Sequence, residues 1–169
     1  MLNIIMKEDI IIDIFRTTEE AVEAAKKLTE STGECYTAYK FYIENMDFSS
    51  NELDEEEIYD MEEEGFSVSE NVESLSVICS DLKKTLSRIR ADYKKEKNVK
   101  EKVIKFLNLL RQAEDLVNYT WGAIDYYNED PFYYDPNDDE YVAQIEASAK
   151  MINKMIKTFI KEIETENNI

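Results

Sequence analysis

From Val68 onward, apolar residues recur in alternating steps of four and three: Val68, Val72, Leu75, Cys79, Leu82, Leu86, Ile89 and Tyr93. An α-helix turns once every ~3.6 residues, so this spacing holds one narrow apolar stripe on one side of a helix. The same alternation runs through Val99, Val103, Phe106, Leu110, Ala113, Val117, Thr120, Ile124 and Tyr127. It returns at Ile145, Ala149, Ile152, Ile156, Phe159 and Ile163. Leu107, Leu109 and Leu116 widen the middle stripe, which suits a central helix. The pairs Ser67/Glu70, Asn98/Glu101 and Asn137/Glu140 have the spacing of capping boxes. Three helices follow, over about 68–96, 98–127 and 138–165. Each spans about 45 Å at ~1.5 Å per residue. Matched lengths and short connections predict antiparallel neighbours in one bundle.

Only three glycines and two prolines punctuate 169 residues, which argues for long helices over the many turns of an all-β fold. At the N-terminus, Thr17/Glu20 resembles another capping box before Ala21, Val22, Ala25 and Leu28. Beyond Gly33, Tyr36, Tyr39, Ile43 and Met46 share one helical face, predicting a helical segment over about 18–47, either one interrupted helix or two. The β-branched cluster Ile10, Ile11, Ile12 and Ile14 reads alternatively as a strand. The expected fold class is therefore all-α: one helical domain over 1–169, with an acidic connecting segment at about 48–66.

The chain contains no histidine, which removes the commonest general base and the Cys/His zinc sites. Gly33, Gly65 and Gly122 are too scattered for a phosphate-cradling loop. Cys35 and Cys79 form no C-x-x-C pair and read as free thiols of a reducing cytoplasm. The apolar opening MLNIIMKEDIIIDIF is broken by charges and lacks the layout of a signal peptide, and no run is long enough for a membrane span. Asp135, Asn137, Asp139, Tyr141, Val142 and Glu146 imitate the spacing of a calcium loop, but Glu140 stands where its turn needs glycine. An acid-rich helix start explains the same residues more simply. The expectation is a non-catalytic protein without cofactor or metal.

Charge is the other strong feature. Thirty-eight acids against 20 bases leave a net charge of −18, unsuited to holding phosphates or anionic lipids. Residues 52–64 hold nine carboxylates and no base: Glu52, Asp54, Glu55, Glu56, Glu57, Asp60, Glu62, Glu63 and Glu64. From Glu44 to Glu64 there are eleven acids in 21 residues. On a helix that is one per about 3 Å of axis, against about 3.4 Å per phosphate on one DNA strand. A solvated acidic linker would carry the same composition. A second patch, 126–141, mixes acids with aromatic rings: Glu129, Asp130, Phe132, Tyr133, Tyr134, Asp135, Asp138 and Asp139. Tyrosine suits interface hot spots, although these rings would also serve to cover the end of a bundle. Bases gather in KKTLSRIRADYKKEKNVKEKVIK, which reads as a solvated helix end favoured by the helix dipole.

Together these features point to an acidic cytoplasmic inhibitor that imitates nucleic acid. Its partner would be a basic protein, a nuclease or other nucleic-acid-binding protein. Anti-restriction, anti-CRISPR and nuclease-immunity proteins use this physics, an analogy of charge and size alone. The alternative is a structural protein that assembles into homo-oligomers through its heptads.

Overall fold

The computed structural model describes residues 1–43, 57, 59–60, 65, 67–95, 98–128 and 138–165. Its elements are β1 (Leu2–Lys7), β2 (Ile10–Phe15), α1 (Thr18–Thr32), β3 (Thr37–Phe41), α2 (Val68–Tyr93), α3 (Lys100–Asn128) and α4 (Asp138–Thr165). The expected all-α bundle is corrected: an antiparallel three-stranded sheet, ordered β2-β1-β3, forms the N-terminus. The three long helices lie within three residues of their expected limits.

The chain gathers into two compact units. The first comprises residues 1–45, 84–108 and 155–169. Here β1 and β2 form a hairpin through Glu8 and Asp9, with Lys7 opposite Ile10 and an irregularity between Ile5 and Met6. Glu8 carries the turn at φ 53°, a conformation few non-glycine residues adopt. α1 then crosses over to β3, which pairs with the other side of β1, from Leu2 opposite Phe41 to Met6 opposite Thr37. The capping box at Thr17 and Glu20 is formed in both directions, and Gly33 closes α1 at φ 75°.

Of the helical segment expected over 18–47, the first part forms as α1, which stops at Thr32, whereas the part beyond Gly33 is corrected: Tyr36, Tyr39 and Ile43 share no helical face. The segment TAYKF is rich in aromatic and β-branched residues, and the open side of β1 gives it a ladder to join. Local periodicity lost to that pairing. Met46, the last member of the expected stripe, lies outside the described residues.

β1 is buried on both faces. Ile5 meets Ala21 and Ala25 of α1, with Phe15, Leu28, Tyr36 and Ala38 packed around them. On the other face, Ile4 lies opposite Ile14 and Met6 opposite Ile11, and all four are buried. The Asn108 amide of α3 grips the β2 backbone, accepting from Ile11 N–H at 2.8 Å and donating to Ile11 C=O at 2.9 Å. Lys100 adds an ion pair to Asp13 at 2.7 Å and sits 4.8 Å from the Phe15 ring centre. Within the same unit Phe106 and Phe159 stack with centroids 4.4 Å apart.

The second unit comprises residues 46–83 and 109–154. It buries Val72, Leu75, Cys79 and Leu82 of α2, Ala113, Val117 and Ile124 of α3, and Ile145, Ala149 and Ile152 of α4. Asn71 Nδ2 donates to Thr120 Oγ1 at 3.2 Å, which satisfies a polar member of the α3 stripe. Cys79 is a buried free thiol, raised above its ordinary titration by burial and drawn down by a hydrogen bond with Ser148. Cys35 is an exposed free thiol. Among the described residues, no helix is long and apolar enough to cross a membrane.

Candidate functional site

Beside the buried stripes of the second unit runs an open groove of about 780 Å³. One wall is α2, through Asn71, Ser74 and Ile78, and another is α3, through Gln112, Asp115, Leu116 and Tyr119. Most of these residues stand one position before a core residue: Asn71 before Val72, Ser74 before Leu75, Ile78 before Cys79, Gln112 before Ala113, Leu116 before Val117. A one-residue step turns a side chain ~100° around the helix, so the core stripes hold both lips at the edge of the packed seam. Glu57, Asp60 and Gly65 complete the described lining, with Gly65 at φ 81°.

The lining sets exposed carboxylates beside an apolar bed. Glu57, Asp60 and Asp115 are exposed carboxylates, and the described lining has no basic residue. Ile78 and Leu116 are half-buried, and Tyr119 remains 44% exposed. Glu114, next to Asp115, titrates above the ordinary carboxylate value, mainly through burial and then through the charge of Asp115, with Arg111 opposing.

Of the residues expected to meet a partner, Glu57 and Asp60 line this groove. Asp139 is exposed on the first turn of α4, whereas Asp138 is buried at 7% exposure. Both add acidic charge where the helix dipole favours it. Glu52, Asp54, Glu55, Glu56, Glu62, Glu63, Glu64, Glu129, Asp130, Phe132, Tyr133, Tyr134 and Asp135 lie outside the described residues, as does Asn137 of the third capping box. At the near end of the aromatic patch, Tyr126 and Tyr127 meet edge to face at 5.7 Å. The residues imitating a calcium loop are helical from Asp138 onward. Among the described residues no cluster of three or more Asp, Glu, His or Cys is arranged to hold a metal.

Asp115, Leu116 and Tyr119 were not among the expected contact residues. Their signal is positional: they flank the α3 stripe, outside any dense acidic run. The basic stretch between α2 and α3 is partly engaged internally, with Arg90 on Glu162 at 2.6 Å and Lys102 on Asp92 at 2.8 Å. Compared with protein families, curated proteins and solved structures, the chain shows no match.

Proposed function

We propose that the protein is a non-catalytic acidic inhibitor that binds a basic, nucleic-acid-binding protein partner, with the α2–α3 groove as a principal contact. The observation carrying this reading is the groove lining, in which Glu57, Asp60 and Asp115 stand around Ile78, Leu116 and Tyr119. A nucleic-acid-binding surface presents arginine and lysine to phosphates. An arginine entering the groove would lay its aliphatic stem on the apolar bed and offer its guanidinium to the carboxylates. The net charge of −18, to which the nine carboxylates between Glu52 and Glu64 contribute, would steer such a partner from a distance.

Assembly through the heptads has less support. Val72 through Tyr93, Val103 through Ile124 and Ile145 through Phe159 supply stripes already buried within the chain.

Affinity capture from the native host's lysate, eluted with rising salt, tests the reading when wild type is compared with a Glu57→Gln/Asp60→Asn/Asp115→Asn variant. A basic nucleic-acid-binding protein should be retained by wild type and elute at lower salt from the variant. Equal retention by both would remove the groove from the interface.

A further inference from the structure

At the edge of the sheet, α1 and β3 enclose a shallow groove of about 350 Å³, lined by Val22, Ala25, Lys26 and Thr29 of α1 and by Thr37 and Ala38 of β3. Among the described residues, β3 is paired along one side only, with β1. An open strand edge is a template for another strand, and proteins usually blunt it with charge, proline or a bulge. The segment TAYKF carries a single charge, Lys40, and no proline. Exposed apolar surface flanks the edge on both faces: Val22 is 38% exposed on α1, Tyr39 51% on the face of β3 opposite Ala38, and Tyr42 61%.

We infer that this edge is the seat of a second copy of the chain, with β3 pairing antiparallel to its own mate about a two-fold axis at Tyr39. Self-complementarity favours a copy over a foreign strand. In that register Tyr39 faces Tyr39 of the mate, Thr37 faces Phe41, and Ala38 faces Lys40, so no like charges meet. Aromatic and β-branched pairs of this kind are favourable across a sheet.

The helix above is self-complementary too. Thr29 Oγ1 accepts from Tyr36 N–H at 3.2 Å, and Ala25 packs in the same cluster as Ala38. α1 therefore runs antiparallel to β3, and the level of Tyr39 falls near Val22. Two helices related by that axis present Val22 to Val22, and Lys26 of each to Glu19 of the other. Ala21 and Ala25 contact Ile5 of β1 while Ala38 lies on β3, which centres α1 above the boundary of those strands. With strands about 4.8 Å apart, the two α1 axes would lie about 10 Å apart, a normal helix-packing distance. The groove is the space the mate's helix fills.

This interface and the acidic groove respond oppositely to salt. Copies carrying −18 each repel one another, so screening should tighten self-association. Sedimentation of the full chain should show a dimer fraction that grows as salt is raised. Tyr39→Lys, which places like charges face to face, should weaken association at least tenfold while helicity is unchanged. A cysteine scan in the Cys35→Ser background gives a reading independent of that variant. Directly opposed strand residues have Cα atoms about 4.5–5.5 Å apart, within disulfide reach. Tyr39→Cys should therefore oxidise to a covalent dimer. Thr37→Cys, about 14 Å from its counterpart, should not. A monomer at every salt concentration, a dimer that survives Tyr39→Lys, or equal cross-linking at both positions would overturn the assignment.

Discussion

Glu114 shows how one side chain reports on its surroundings. Burial and the charge of Asp115 both disfavour its ionised form, so the folded chain holds its proton more tightly than an ordinary carboxyl near 4.5. The sign follows from linkage: a carboxyl raised on folding destabilises the fold above its folded value and ceases to do so below its unfolded one. Glu114→Gln should therefore raise the urea midpoint at neutral pH. That gain should shrink as pH falls through the raised value and vanish below about 4.5. Chemical denaturation across pH checks this. A gain that persists in acid would mean that Glu114 acts through packing. A cation bound beside Asp115 would oppose the shift, so the same carboxyl serves as a reporter of groove occupancy.

At the scale of elements, the N-terminal sheet depends on its edges. β1 is protected by two neighbours, and Asn108 stands in for a strand beside β2, satisfying both backbone groups of Ile11. Asn108→Ala removes both bonds and leaves that N–H and C=O without their partner, a loss of about 1–3 kcal/mol. Equilibrium unfolding should register it, and a change below about 0.5 kcal/mol would mean that water replaces the amide. The long helices were legible in the sequence because a 3.6-residue period sustained over 26 or more residues suits an α-helix and neither a strand nor a loop. β2 forms where the β-branched cluster Ile10–Ile14 offered a strand as the alternative, but the other two strands were harder to read. LNIIMK is buried on both faces and loses the alternation that marks a half-buried strand, while the spacing of Tyr36, Tyr39 and Ile43 imitates a helix. Pairing of β3 with β1 joins residues more than 30 positions apart, which no local pattern records. For the groove, composition pointed to Glu57 and Asp60. Asp115 and Tyr119 emerged only once the stripes of α2 and α3 were set side by side.

For the whole molecule, the central proposal is that carboxylates around an apolar bed occupy the surface with which a basic partner binds nucleic acid. Steering by a charge of −18 predicts an association rate that falls steeply with ionic strength. Contacts to Ile78, Leu116 and Tyr119 should give a dissociation rate that changes far less. The most direct measurement is competition. The partner captured on this protein is bound to its own labelled nucleic acid, and the protein is titrated in by fluorescence anisotropy at several salt concentrations. Full displacement is expected, with an apparent affinity that weakens in proportion to the nucleic acid added and is lost with Glu57→Gln/Asp60→Asn/Asp115→Asn. A stable ternary complex, in which protein and nucleic acid occupy the partner together, would contradict mimicry.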